Sequence, residues 1–223
     1  MTTVLGLFAK APLPGQVKTR LAACTSPEWA AQVAAAFLSD MIERLAAVAD
    51  QRYLVFAPKE ARAVFEERSD GRYRVEPQAE GNLGRRMAGF IDNRLREGAE
   101  RIVLLGADSP TVPTAFVDEA FEQLKLVNVV LGPALDGGYY LLGCARRLPP
   151  IFDGIAWGEQ SVLAETVARL SDPSWRVALL PPWYDVDTLD DWQMLRGHLV
   201  AMRRAGIDAG APRTERLAMA DHS

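Results

Sequence analysis

Short apolar runs alternate with stretches of helical periodicity along almost the whole chain, and no other feature limits the possible folds as tightly. Thr3 to Phe8 reads as a strand, "RYLVFA" from Arg52 as a second, and "YRVEPQ" as a weak third. "RIVLLGAD", "VNVVLGPA", "GGYYLLGCA" and "WRVALLPP" follow as further strands. Between them lie segments with apolar residues on one helical face. In the longest, Ser26 is suited to capping the helix and Pro27 to its first turn, and Val33, Phe37, Met41, Leu45 and Val48 recur at helical spacing. Pro58 opens a helix with Val64 and Phe65, "LGRRMAGFIDNRLREG" is an amphipathic helix ending at Gly98, and "PTAFVDEAFEQLK", "GEQSVLAETVARL" and "TLDDWQMLRGHLVAMRRAG" are helical too. Such alternation predicts an α/β fold with a mostly parallel sheet covered by helices on both faces.

With 49% hydrophobic residues among 223, one domain over residues 1–208 with a sizeable core is expected. The last stretch, 209–223, shows no period and is expected to fray. A net charge of −4 without a basic block argues against a broad nucleic-acid surface, so any anion site is local. Cys24 and Cys144 lack metal-ligand spacing and read as two reduced thiols. The two histidines, His198 and His222, sit near the C-terminus, which gives little support to a histidine-based zinc site or a Ser-His-Asp triad. The N-terminal run has no basic segment before it and reads as a first strand rather than a signal peptide. No apolar run is long enough for a membrane span, and the expected location is the cytoplasm.

In sheets of this class, ligands bind beyond the carboxyl ends of the strands, so the loops there carry the chemistry. The first loop, "AKAPLPGQVKTRL", offers Lys10, Lys18 and Arg20, with Gly15 for backbone freedom. Cations beside free backbone N–H groups suit phosphates, although a solvated basic loop would read the same way. It is neither a Rossmann glycine fingerprint nor a P-loop, which sets aside an NAD-dependent oxidoreductase and a Walker-type ATPase. "GNLGRRM" places Gly81, Gly84 and Arg85 at a helix start, where they would pack against a base or ribose or simply begin the helix. Asp108 ends a buried strand, and Pro110 turns the chain out of the sheet. The acid there faces the ligand crevice or caps the next turn. Asp136, Gly137, Gly138 and Tyr139 form an Asp-Gly turn signal that leaves room for a substrate-facing carboxylate. Tyr139 and Tyr140 would point to opposite faces. In "YDVDTLDDW", Asp190 and Asp191 suit a helix's first turn, whereas Asp185 and Asp187 sit on the extended segment before it. Cations and carboxylates around one mouth make sense if a divalent ion bridges acids to phosphate. Mg²⁺ is held by one or two carboxylates plus substrate phosphates, and Asp108 and Asp187 are the candidate ligands.

Taken together, "FAKAPLPGQVKTRLA", "QAEGNLGRRM", "LGADSPTV", "GPALDGGYYLLG" and "YDVDTLDDW" resemble the DUF2064 family over roughly residues 3–200. Its members are called rSAM/selenodomain-associated transferase 1 or GT-A-type glycosyltransferase-like proteins. That family resembles the GT-A nucleotide-diphospho-sugar transferases, and its relatives in design include molybdenum cofactor and phospholactate guanylyltransferases. The resemblance implies a Rossmann-like three-layer α/β/α fold of GT-A type that binds a nucleotide with Mg²⁺ or Mn²⁺. By that analogy Asp108 and Asp187 stand at the metal positions, and Lys18 and Arg20 meet the phosphates. The chain departs from the pattern at Leu189, where proline is expected, and at Ser109, where cysteine is frequent. Its first loop also differs from the glycine-rich loop of the cofactor guanylyltransferases, which leaves the base open.

Two enzyme readings follow, and each takes a nucleotide and a small-molecule acceptor as partners. In the favoured one, a phosphate- or phosphonate-bearing acceptor attacks the α-phosphorus of an NTP and pyrophosphate leaves. Lys18 and Arg20 then stabilise the growing charge. In the alternative, a nucleotide sugar is the donor, and Asp136 deprotonates the acceptor hydroxyl or contacts the sugar. A non-catalytic nucleotide-binding protein is the third possibility. The sequence leaves the oligomeric state open.

Overall fold

The computed structural model describes residues 2–220. Seven strands form one sheet: β1 (Thr3–Lys10), β2 (Gln51–Ala57), β3 (Arg74–Pro77), β4 (Arg101–Gly106), β5 (Val129–Pro133), β6 (Tyr139–Ala145) and β7 (Val177–Leu179), in the order β3-β2-β1-β4-β6-β5-β7. All neighbours pair parallel except β6, which runs antiparallel to both β4 and β5. The helices are α1 (Thr19–Ala23), α2 (Pro27–Arg44), α3 (Arg62–Ser69), α4 (Leu83–Arg96), α5 (Thr114–Gln123), α6 (Val162–Arg169), α7 (Leu189–Arg204) and α8 (Pro212–Ala220). The expected Rossmann-like α/β architecture with a mostly parallel sheet is therefore present, with one reversed strand inside it.

From β1 the chain runs outward through β2 to β3 on one side, and it returns through β4 on the other. The order thus reverses between β1 and β4, the place where such sheets bind ligands. Phe8 pairs with Gly106, so both strands end at the same level. Because β6 is reversed, its first residue, Tyr139, lies at this same edge. One edge of the sheet consequently collects the loops after β1, β4 and β5.

Each strand of the centre is buried on both faces, as its continuous apolar run requires. One core packs α2, α3 and α5 on the sheet through residues such as Phe37's neighbour Leu38, Phe65 and Phe121. The other packs α4 and α6, with Phe90, Ile91 and Leu104 at its centre. A third cluster surrounds Trp192, which is fully buried and meets Trp29 edge-on at 5.0 Å and Phe37 stacked at 6.3 Å. Ser26 caps α2 by accepting from the Trp29 backbone N–H at 3.1 Å, as its sequence position suggests. Thr188 and Asp191 form a reciprocal capping box at α7, so that helix starts cleanly with Leu189 in place of proline.

The C-terminal stretch corrects the sequence expectation. Residues 209–220 do not fray: α8 docks on α2, where the fully buried Asp40 accepts from the Thr214 backbone N–H at 2.8 Å and from its hydroxyl at 2.7 Å. Arg213 adds an ion pair to Glu43 at 2.7 Å. The partners are 174 positions apart, so no local period announces the helix. Residues 221–223, His222 among them, lie outside the described residues. Among the described residues no helix is long and apolar enough to cross a membrane.

Candidate active site

A cleft of about 650 Å³ opens over the carboxyl ends of β1 and β4. Its floor is apolar, with Phe8, Leu104 and Leu142, and its charged lining comes from the loops expected to carry the chemistry, with Glu159 added from the segment before α6.

The β1 loop turns tightly, with Leu13 N–H donating to Ala11 O at 2.7 Å and Gln16 N–H to Leu13 O at 3.0 Å. It ends at Lys18, whose φ of 45° and ψ of 46° place a non-glycine residue in the left-handed region. Such conformations carry a cost and cluster at functional positions. The Lys18 side chain is 3% exposed and its ammonium donates to Asp108 Oδ1 and, at 3.2 Å, to Asp187 Oδ1. It lies 5.1 Å from the Phe37 ring centroid. Burial alone would lower the Lys18 pKa, but the charges and hydrogen bonds of Asp108 and Asp187 outweigh burial and hold it above the usual lysine value. Arg20 reaches Asp187 Oδ2 at 2.8 Å from an exposed position. Burial works to raise the Asp187 pKa, yet Lys18 and Arg20 bring it below the usual aspartate value. Asp108 remains about half exposed.

Two extended segments are bolted together beneath these carboxylates. Asp108 O accepts from Val186 N–H at 3.0 Å, Ser109 Oγ donates to Asp185 Oδ1, and Thr111 Oγ1 lies 3.1 Å from the Tyr184 hydroxyl. Tyr184 in turn hydrogen-bonds His198 Nδ1 at 2.7 Å. From the other side the Arg44 guanidinium donates to the carbonyls of Pro110 and Val112. Asp185 is pushed up to about 7, by burial first; its hydrogen bond from Ser109 opposes the shift, while Asp108, Asp136 and Asp187 add to it.

On the β5–β6 side the Asp-Gly-Gly stretch is a hairpin turn and also borders the cleft. Asp136 Oδ1 accepts from Gly138 N–H at 2.9 Å, and Asp136, Gly138 and Tyr139 all line the cavity. Gly137 does not line it. Its φ of +91° and the approach of Gln160 O to 2.1 Å from a virtual Cβ explain the glycine by backbone docking against the start of α6. Tyr139 faces the α4 side, where its ring meets Trp157 edge-on at 6.4 Å, and burial pushes its hydroxyl pKa up. Tyr140 points to the opposite face and donates to Pro181 O at 3.0 Å, the alternation expected of a strand.

The start of α4 divides the expected nucleotide contacts. Lys10 and Gly81 line the cleft, whereas Gly15, Gly84 and Arg85 do not. A Cβ at Gly84 would sit 2.4 Å from Trp157 Nε1 and 2.7 Å from Phe152 O, so this glycine admits the Trp157 indole. The arginine that lines the cavity is Arg86, one position on. Its Nε donates to Gly81 O at 2.8 Å and its NH1 to Gln78 Oε1 at 3.1 Å. Gln78 donates its own amide to Ala9 O at 3.3 Å and Val55 O at 3.0 Å, which fixes the side-chain orientation. The sequence reading placed Arg85 rather than Arg86 at the site, missed Gln78 and left Asp185 without a role; Trp157 lines the cleft as well. The Gly81–Asn82 cap is the local signal that sets the helical phase: Asn82 accepts from Arg85 N–H at 3.0 Å.

Among the described residues no group of three or more His, Cys, Asp or Glu side chains is arranged to hold a metal by itself. Asp108 and Asp187 converge on one point, Lys18 Nζ. Two hard oxygen donors at one point fit a divalent ion that completes its shell with water and phosphate oxygens.

Comparisons with known proteins agree on the fold. The model of the family "Uncharacterized protein conserved in bacteria (DUF2064)" matches residues 40–159. A solved structure from Desulfovibrio desulfuricans G20, described as a "putative nucleotide-diphospho-sugar transferase", is 31% identical with a TM-score of 0.87, over 99% of this chain and 98% of that one. The inositol-1-phosphate CTP transferase of T. maritima superposes with a TM-score of 0.59 at 15% identity, over 93% of this chain and 98% of that one. Rv0371c of Mycobacterium tuberculosis H37Rv, solved as a complex with manganese, does so with a TM-score of 0.50 at 19% identity, over 87% and 98%. No curated protein matches the chain.

Proposed function

From the premise that this chain belongs to the DUF2064 family, we propose that it is a divalent-metal-dependent nucleotidyltransferase. It would transfer a nucleotidyl group from an NTP to a small phosphate- or phosphonate-bearing acceptor. The observation that carries the reading is the meeting of Lys18 and Arg20 with Asp108 and Asp187 over the ends of β1 and β4. Cations alone would suit any anion. Carboxylates in contact with them suit a polyphosphate that arrives with a divalent cation.

In this reading Asp108 and Asp187 hold Mg²⁺ or Mn²⁺, and the ion supplies charge neutralisation at the phosphate oxygens. The manganese in the Rv0371c structure supports that choice of ion. Lys10, Lys18, Arg20 and Arg86 bind and orient the polyphosphate at the mouth. The acceptor oxygen forms a bond to the α-phosphorus as the bond to the bridging oxygen breaks, and pyrophosphate takes the electron pair. An anionic acceptor needs no general base, which suits a cleft without a lining histidine among the described residues. Lys18 and Arg20 stabilise charge on the leaving group.

The second reading, glycosyl transfer from a nucleotide sugar, is favoured by the description of the 31%-identical relative and by Asp136 on the cavity wall. There Asp136 deprotonates an acceptor hydroxyl. Melting temperature against a panel of NTPs and nucleotide sugars, with and without Mg²⁺, separates the two. A metal-dependent rise with an NTP, followed by pyrophosphate release on adding phosphate-bearing acceptors, supports nucleotidyl transfer. A rise confined to a nucleotide sugar replaces it with glycosyl transfer.

A further inference from the structure

The proposed metal position is filled by the protein's own charge. Asp187 spends Oδ1 on Lys18 and Oδ2 on Arg20, and Asp108 spends Oδ1 on Lys18. Lys18 is no surface residue resting there in passing. Its ammonium is shielded from water and backed by the Phe37 ring. A dication coordinated by both acids would meet this ammonium at close range, where like charges repel strongly and water screens little.

We propose that Lys18 is a tethered counter-cation of the Asp108–Asp187 pair, and that it makes metal uptake conditional on nucleotide phosphates. The inference rests on the functional reading above and adds to it an order of events at the same site. Lys10 and Arg86 also line the cleft, and neither makes an ion pair among the described residues. They are available to meet the incoming polyphosphate first. The phosphates then offer Lys18 an alternative anion, and the carboxylates it leaves become available to the dication. Lys18 sits at the junction of loop and a five-residue helix, a position from which a long side chain can swing between two anions without moving the sheet. Without phosphate, the metal must displace an ammonium that has nowhere equally favourable to go. Metal and nucleotide therefore reinforce each other's binding, and by thermodynamic linkage the effect is mutual.

The test is the binding of Mn²⁺ alone, without nucleotide, by calorimetry and by the electron paramagnetic resonance signal of free Mn²⁺. The wild type is expected to bind weakly, and Lys18→Met about tenfold or more tightly. The metal-free variant should melt below the wild type, because two carboxylates lose their partner, and Mn²⁺ should restore it. Equal or weaker Mn²⁺ binding by Lys18→Met overturns the inference. Should that variant fold poorly, the wild type supplies the answer through its Lys18 ¹⁵Nζ resonance. That resonance must shift on saturation with Mg²⁺ alone, and its constancy while Mg²⁺ binds overturns the inference. An Asp108→Asn arm separates the two levels. If it binds Mn²⁺ with nucleotide like the wild type, the metal site and the functional reading fall together. If it loses that binding while Lys18→Met gains none, only the counter-cation fails.

Discussion

Asp108 and Asp187 make unequal demands on substitution, because their partners differ. Asp187 neutralises two cations and Asp108 shares one of them. Asp187→Asn is expected to abolish the metal-dependent rise in melting temperature with nucleotide and also to lower the melting temperature of the metal-free protein. Asp108→Asn should abolish the rise with less effect on the apo protein, since its carboxylate is about half exposed. A rise that survives in both variants would place the metal elsewhere. Away from the cleft, Asp50 anchors the start of β1 by accepting from the Thr3 backbone N–H at 2.8 Å and its hydroxyl at 2.9 Å. The backbone hydrogen bond first, then the side-chain one, holds its pKa below the usual aspartate value of 3.8. A lowered folded-state pKa gives stability that is present above the unfolded value and lost as pH falls through the folded one. Asp50→Asn should thus melt below the wild type near neutrality, and the gap should close as pH falls below the ordinary carboxylate range. A gap independent of pH would remove the carboxylate from the explanation. At this scale the sequence was readable for type and unreadable for phase. Consecutive arginines differ by about 100° around a helix, so "GRR" alone does not say that Arg86, and not Arg85, lines the cleft.

At the scale of elements, the loop after β4 owes its shape to a side chain from α2. Arg44 has no carboxylate within ion-pair distance among the described residues and donates both amino groups to the carbonyls of Pro110 and Val112. Burial lowers its pKa, opposed by Asp40 and Asp208. Arg44→Met is expected to raise amide hydrogen exchange over residues 108–112 and to weaken metal-nucleotide binding about tenfold, with Arg44→Lys partly restoring both. Exchange that rises uniformly through the sheet would mean only a general loss of stability. The junction of α2 with α8 gives a second prediction. Asp40→Ala leaves the buried N–H and hydroxyl of Thr214 unmatched, and it should cost about 3 kcal/mol in chemical denaturation. A change below about 0.5 kcal/mol would show that α8 contributes little to global stability. This helix was invisible in the sequence because a distant side chain caps it and Ala218 buries against a cluster contributed by α2 and α7.

For the whole molecule, the alternation of runs was enough to expect a sheet covered by helices on both faces, because short apolar runs bounded by turn residues read as strands and longer stretches of helical period as helices. It was not enough to order the strands. An apolar run carries no sign of direction, and the antiparallel placement of β6 between β4 and β5 follows from the short Asp-Gly connection, which cannot cross over to a parallel neighbour. Asp136 follows β5, which runs parallel to β4, and so lies at the edge where β1 and β4 end; the reversal of β6 keeps its first residue, Tyr139, at that same edge, and both line the cleft.

Trp157 and Trp192 occupy opposite circumstances, one on the cleft wall against Gly84 and the other sealed among Trp29, Phe37 and α7. The molecule therefore carries two intrinsic optical probes with separate meanings. Emission from Trp157 is placed to respond to whatever occupies the cleft, while Trp192 holds its environment until the chain unfolds. Excited together they confound occupancy with denaturation. With the other indoles replaced by phenylalanine, each would report one of the two events in a single titration.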